Sequence, residues 1–251
     1  MPSGGRHERA LRTIKRLNDE GLRFGNDEDL RLAAAATRAA HELIVLYLAA
    51  YEVRRPQRQL FTPAKLERTL GGALLDEDEG RDGSARDIEF ELLQAAKFRL
   101  GGVSVYAGEP DLRIRYGYEK VGVAAKRIRS LRDDQVVRHV KKAAEQISGS
   151  GLRGWIAINL DARFRSTSVI QSRESLFPAF DKIFDSVNET FRSQYENSDV
   201  LGFRLHGYTY GWQLVRIPTD ADHRFQCMPI TDSEACRSPW SERVAVLENL
   251  L

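Results

Sequence analysis

The sequence lacks most of the features that assign a chain to a specialised class of protein. It has only two cysteines, Cys227 and Cys236, in 251 residues, too few for the disulfide framework of a small secreted domain. Its net charge is only +2, so overall charge alone does not indicate a nucleic-acid-binding protein. No Walker loop, dinucleotide-binding glycine pattern or nucleophile elbow occurs, which leaves kinase, dehydrogenase and lipase functions without support.

Long apolar runs are also scarce. The longest apolar stretch, residues 30–53, is interrupted by Arg38, His41 and Glu42, which is typical of a packed helix and not of a membrane span. The first 17 residues contain no apolar region of the kind found in signal peptides. We therefore expect a cytoplasmic protein.

The N-terminal third of the chain is predicted to be helical. Apolar residues recur at helical spacing within residues 5–20 and 27–53, and a shorter helix is predicted at about 64–71. An acidic, glycine-containing segment at 76–84 follows as a loop. We interpret residues 1–80 as a helical N-terminal region appended to the rest of the protein.

From residue 85 the pattern changes to alternating helices and strands. The predicted order is a helix at 85–102, strands at 103–108, 110–116 and 119–128, a second helix opened by a capping box of Ser130 and Asp133, and a buried strand at 154–161. This order predicts an α/β protein with a three-layer α/β/α core at about 85–215. Residues 216–251 are predicted to be an irregular C-terminal tail.

The second and third predicted strands carry the residues with the clearest chemistry. Side chains alternate between the two faces of a strand, so Asp111, at the start of one strand, and Lys126, at the end of the next, can face the same cleft. Metal-dependent cleavage of a phosphodiester needs hard oxygen ligands and a cation that stabilises developing negative charge. Asp111 and Lys126 supply one of each, and Ala124 shares the face of Lys126.

Residues 86–161 resemble the PD-(D/E)xK nuclease superfamily, whose fold is restriction-endonuclease-like. The resemblance rests on the helix RDIEFELLQAAKFRLGG, followed by PDLRI, VGVAAKRI, the helix VKKAAEQI and the strand GWIAINLD. It implies that Asp111 and Glu91 bind Mg²⁺ or Mn²⁺, that Lys126 orients water or stabilises the transition state, and that Gln146 corresponds to a glutamine some members carry on the helix after the lysine.

The sequence departs from the family at Ala124, where an Asp or Glu is expected. Three explanations are open. In the first, the second acid comes from another position. Glu91 is the best candidate, although a salt bridge is an equally weighted role for it. Asp161 is a weaker candidate, and the odd offset of Glu119 from Ala124 disfavours that residue. Alternatively, the alanine is an introduced change that inactivates a working enzyme, or the site is inactive and the fold is kept for binding.

Charge distribution extends the interpretation to a partner. Residues 113–142 contain ten basic and three acidic residues. Arg127, Arg129, Lys141 and Lys142 are predicted to contact nucleic acid, whereas His139 is interpreted as a structural or surface residue.

The expected function is metal-dependent cleavage of DNA, with RNA not excluded, in defence or repair. The alternatives are an inactive module that binds nucleic acid or a protein, and an unrelated α/β interaction protein. A homodimer and a complex with a partner subunit are both left open.

Overall fold

The computed structural model describes most of the chain up to residue 207 and little after it. The described residues are 5–20, 27–52, 60–75, 84–130, 132–162, 173–195, 198–207, 212–216 and 228–229. Cys227, Cys236 and most of the predicted tail at 216–251 lie outside these residues.

Helices occupy the N-terminal region and flank a sheet. They are α1 (Arg6–Glu20), α2 (Asp27–Tyr47), α3 (Pro63–Leu70), α4 (Ser84–Leu100), α5 (Asp133–Gly149) and α6 (Arg173–Tyr195), and a π-helical segment, Leu48–Glu52, continues α2. The strands are β1 (Ser104–Gly108), β2 (Asp111–Tyr116), β3 (Glu119–Arg127), β4 (Arg153–Asn159), β5 (Val200–Gly207), β6 (Trp212–Arg216) and β7 (Met228–Pro229).

The strands form one open, mixed sheet in sequence order. The described residues contribute seven strands to it, with β3, β4 and β5 parallel to one another and every other neighbouring pair antiparallel. The predicted α/β class is confirmed, and the predicted order of helix, three strands, helix and strand corresponds to α4, β1–β3, α5 and β4. The parallel pairing of β3 and β4 requires a crossover, which α5 supplies.

Period-2 alternation divides the apolar side chains of the sheet between two cores. Leu112, Ile114, Val121 and Val123 belong to a buried cluster that includes the apolar residues of α4. The alternate positions of β3 and β4 belong to a second cluster with α5 and α6, and its members include Ala124, Ile156 and Ile158. Helices therefore cover both faces of the central strands, in three layers.

The N-terminal helices pack directly on α4. Val45, Leu46 and Ala49, from α2 and its π-helical continuation, belong to the same cluster as Phe90 and Leu93 of α4. The segment Leu32–Tyr51 is long and apolar enough to cross a membrane by length and composition alone, and its residues Val45, Leu46 and Ala49 are buried in the core shared with α4. The division of the chain at residue 80 stays a prediction.

A buried ionic cluster joins α1, α2 and α4. Arg6, 1% exposed, donates hydrogen bonds to Glu42 Oε2 at 2.7 Å and to Glu89. Burial opposes ionisation of Glu42, yet the guanidinium groups of Arg38, Arg6 and Arg86 together lower its pKa to about 2. For Glu89, burial and then the nearby Glu42 carboxylate raise the pKa, against the opposing charge of Arg6. The cluster ties the first helix to the core electrostatically.

The predicted capping box at the start of α5 is wrong. The N-cap residue is Arg132, and it makes no side-chain capping hydrogen bond. The hydroxyl of Ser130 instead accepts a hydrogen bond from the backbone N–H of Arg132, at 3.2 Å. The serine therefore shapes the turn before the helix and does not cap it.

Candidate active site

Asp111 and Lys126 lie side by side where β2 begins and β3 ends. Asp111 Oδ2 accepts hydrogen bonds from Lys126 Nζ at 2.9 Å and from the backbone N–H of Ala125 at 2.7 Å. The antiparallel register explains this proximity, because Leu112 pairs with Val123 and the preceding Asp111 therefore lies near the end of β3. Both side chains are about one-fifth exposed, so the pair is accessible from solvent.

The approach of β2 to β3 depends on Gly122. A Cβ atom at position 122 would lie 2.6 Å from Pro110 Cδ, so only glycine lets the proline ring lie against β3. The carbonyl of Pro110 in turn accepts a hydrogen bond from Gln146 Nε2, at 3.3 Å, on α5. Pro110, the residue before Asp111, is therefore held between a strand and a helix.

Gln146 has one unused oxygen beside this site. Its Oε1 atom is buried and has no hydrogen-bond partner within the described parts of the chain. The orientation of the amide is fixed, because only the NH₂ group can donate to the Pro110 carbonyl. A buried amide oxygen without a donor is costly in an apolar setting, and it is also a hard ligand for a divalent cation.

The position of the missing acid is closed off from solvent. Ala124 is 0% exposed and packs within the apolar cluster formed with α5, where Val140 and Ala144 are also buried. A carboxylate at this position would have to displace apolar contacts before it reached the cleft.

Glu91, the favoured replacement for that acid, is engaged elsewhere. Its Oε1 atom accepts from Lys65 Nζ, on α3, at 3.0 Å. This is the salt bridge that the sequence analysis gave as the other role for Glu91. Asp161 is buried, accepts a hydrogen bond from Asn159 at 3.0 Å and lies 3.5 Å from Arg38 Nη1. Glu119 is exposed at the far end of β3 from Lys126.

The structure adds an acid that the sequence analysis did not select. Asp87, in the first turn of α4, lies 2.9 Å from Arg129 Nη2 and 3.7 Å from Arg127 Nη1. Asp87 precedes Glu91 by four residues and therefore shares its side of α4. The signal in the sequence that could have indicated Asp87 is its spacing of four residues from Glu91 on the same helix.

The residues predicted to contact nucleic acid have different surroundings. The side chain of Arg127 is 2% exposed and pairs with Asp87, so it does not present its charge to solvent. Arg129 is also paired with Asp87, whereas Lys141 is half-buried and Lys142 is exposed. Of these four, Lys142 alone offers an exposed charge with no ion pair to a described residue.

His139 lies in the electrostatic field of the candidate site. Burial lowers its pKa, and the positive charges of Lys142, Lys126 and Arg138 lower it further, against the opposing effect of Asp87. His139, Lys142 and Gln146 are spaced i, i+3 and i+7 and so share one side of α5. The imidazole is therefore neutral near pH 7 and faces the same region as Lys126.

The described residues fit a divalent cation only in part. No group of three His, Cys, Asp or Glu side chains suited to a metal occurs among them. The donors at hand are the carboxylate of Asp111 and the unpaired Oε1 of Gln146, both oxygen atoms. Mg²⁺ is usually held by one or two carboxylates, with waters and substrate phosphates completing its coordination, so this small donor set is compatible with it.

Comparisons with protein-family models, with curated proteins and with solved structures found no match to this chain.

Proposed function

We propose that the chain is a metal-dependent nuclease with a restriction-endonuclease-like core and a variant active site. The observation that carries the proposal is the hydrogen bond between Asp111 Oδ2 and Lys126 Nζ, at 2.9 Å, which joins the candidate metal ligand to the lysine that would stabilise negative charge. DNA is the proposed substrate, and Mg²⁺ or Mn²⁺ the proposed cofactor.

In this proposal each residue has a distinct task. Asp111 and the Oε1 atom of Gln146 would hold the cation, and the second ligand thus differs from the Glu91 that the family resemblance suggested. A bound divalent cation supplies Lewis-acid stabilisation and a more acidic water. Lys126 uses one of its three N–H donors on Asp111, and no described residue accepts from the other two, which can stabilise negative charge on a phosphate oxygen.

A second candidate function is nucleic-acid binding without cleavage. It is favoured by two observations: the carboxylate of Glu91 is paired with Lys65, and the position of the usual second acid is an alanine buried under α5. A single carboxylate beside a lysine is a minimal cation site, and such a pair also stabilises strand ends.

A cleavage assay separates the two functions. The protein would be incubated with Mg²⁺ or Mn²⁺ and with plasmid, linear duplex, single-stranded DNA or RNA, and compared with Asp111→Asn, Lys126→Ala and Gln146→Ala. The matched control is Lys15→Ala, which removes an exposed lysine from α1.

The nuclease proposal expects cleavage by the unchanged protein and by Lys15→Ala. It expects a loss of roughly 10²–10³-fold in Lys126→Ala, the usual effect of removing one electrostatic stabiliser. Equal activity in Lys126→Ala and Lys15→Ala would refute it. Nucleic-acid retention without cleavage in any buffer would favour the binding function.

A further inference from the structure

Within the described residues, two of the seven strands, β1 and β2, have no helix packed on the side that carries Asp111. α5 packs on β3, β4 and β5 within the described residues, and it does not extend over β1 and β2. Arg113 and Arg115 of β2 share the face of Asp111, and the register places Tyr106 of β1 opposite Arg113 and Lys120 of β3 opposite Arg115. These four exposed residues, Tyr106, Arg113, Arg115 and Lys120, are called the open sheet face below.

The two arginines of the open sheet face are oriented by the main chain. Arg113 Nε donates to the Glu109 carbonyl at 2.9 Å, and Arg115 Nε donates to the Gly117 carbonyl at 3.3 Å. The absence of a side chain at Gly108 gives the Arg113 guanidinium its place, because a Cβ there would lie 2.9 Å from Arg113 Nε. Each guanidinium is thus held through Nε, and its terminal NH₂ groups remain available.

These cations also differ in their pairing from Arg129 and Arg132, two other basic residues near the site. Arg129 shares the carboxylate of Asp87 with Arg127, and Arg132 pairs with Asp134. Arg113, Arg115 and Lys120, in contrast, have no ion pair with any acid in the described part of the chain. Three exposed cations without acidic partners make a surface that favours a polyanion, and guanidinium groups with free NH₂ ends suit phosphate oxygens.

The open sheet face leads straight to the candidate active site. Arg115, Arg113 and Asp111 occupy alternate positions of one strand, so their side chains recur at intervals of about 6.8 Å along it. Aromatic rings accompany the cations: Tyr106 is exposed beside Arg113, and Tyr118, at the tip of the β2–β3 hairpin, is fully exposed. Bases stack on such rings, which distinguishes a nucleic acid from an acidic protein as the occupant.

We propose that the open sheet face, together with Tyr118, binds a nucleic-acid strand whose phosphates follow β2 toward Asp111 and Lys126. The inference rests on the proposed function, because it names the surface that holds the substrate of the same site. In place of Arg127 and Arg129, the main phosphate contacts are then exposed cations that have no ion pair with a described residue.

The test measures binding in the presence of EDTA, so that metal-dependent cleavage cannot interfere. Fluorescence anisotropy would be recorded over a range of KCl concentrations with a labelled single strand and with its duplex. The variants are Arg113→Gln/Arg115→Gln and Tyr118→Ala. The matched control is Lys182→Gln/Arg192→Gln, which removes two exposed cations from α6.

The arginine double variant should bind at least about tenfold more weakly than the control. The slope of log affinity against log salt should become shallower by about 1.8 for a duplex or about 1.4 for a single strand, since each lost phosphate contact removes 0.9 or 0.7. Tyr118→Ala should weaken binding of the single strand about tenfold without changing the slope.

Several outcomes would overturn the inference. They are an unchanged affinity and slope in the arginine double variant, full single-strand affinity in Tyr118→Ala, or no binding of either nucleic acid by the unchanged protein. The proposed nuclease function can hold or fail independently of this binding surface. Cleavage that depends on Lys126 with unchanged binding in the arginine variant refutes the surface alone, and weakened binding without any cleavage refutes the nuclease alone.

Discussion

Replacing Arg6 with methionine should destabilise the protein far more than the same change at Arg12 on the same helix. Arg6 is buried between two carboxylates, Glu42 and Glu89, to which it donates hydrogen bonds. Arg12 is exposed and pairs with Glu8 one turn away on the helix surface. Both substitutions therefore remove an arginine that pairs with glutamate, one from a buried cluster and one from the surface.

The size of the effect follows from the burial of the cluster. The lowering of the Glu42 pKa from 4.5 to about 2 is a net effect, in which the surrounding guanidinium groups outweigh the opposing effect of burial, and it corresponds to about 3 kcal/mol of stabilisation. Loss of Arg6 forfeits part of this stabilisation and leaves Glu89 without its guanidinium partner, and breaking a buried pair in this way costs about 3–5 kcal/mol. For Arg12→Met the expected cost is below about 1 kcal/mol, as for other exposed pairs.

The dependence on pH has a definite sign. In the unchanged protein the folded-state pKa of Glu42 lies below its unfolded value, so its contribution is full above about pH 4.5 and is lost as the pH falls toward 2. The raised pKa of Glu89 acts in the opposite sense, since its contribution is present at low pH and declines as the pH rises through the folded-state pKa. Without Arg6 both carboxylates bind protons more readily in the folded state. The penalty in Arg6→Met should therefore be smaller at pH 5 than at pH 8.

Urea unfolding at pH 5 and pH 8, followed by circular dichroism, measures these quantities. The prediction is a larger loss of unfolding free energy in Arg6→Met than in Arg12→Met at both pH values, with the larger difference at pH 8. Equal stability of the two variants would refute the argument that the buried cluster holds α1 on the core.

Three further predictions concern the candidate site. Ala124→Glu should lower the free energy of unfolding by about 2 kcal/mol or more, since it places a charge in an apolar cluster, and an unchanged melting temperature would show that position 124 opens to the cleft. Gly122→Ala should cost about 1–3 kcal/mol through its clash with Pro110, and wild-type stability in urea would contradict that close contact. In an NMR titration, the pKa of His139 should lie below its ordinary value and should rise in Lys126→Met, because that change removes a positive charge. An identical titration in both proteins would mean that the two side chains are not coupled.

The sequence predicted the strand pair well because side-chain alternation is a strong local signal. Asp111 was expected to face the same cleft as Lys126, and Ala124 to share the face of Lys126, as the structure shows. Side-chain alternation also predicts which face carries Arg127. Its odd offset from Lys126 places it on the side of α4, next to Asp87.

Other features depended on contacts between distant segments. Glu91 meets Lys65 because α3 packs on α4, and nothing near Glu91 in the sequence indicates that partner. The exposure of Arg113 depends equally on where α5 ends its contact with the sheet. Propensity and periodicity assign a residue to a face, whereas the layer that covers the face is set by tertiary packing.

The most direct test of the central claim is the rate at which the protein cleaves DNA with Mn²⁺, compared with the rate of Lys126→Ala under the same conditions. The account predicts cleavage by the unchanged protein that EDTA abolishes and that falls by roughly 10²–10³-fold in the variant. Cleavage at the same rate in both proteins, or none in either, would contradict a nuclease site at Asp111 and Lys126.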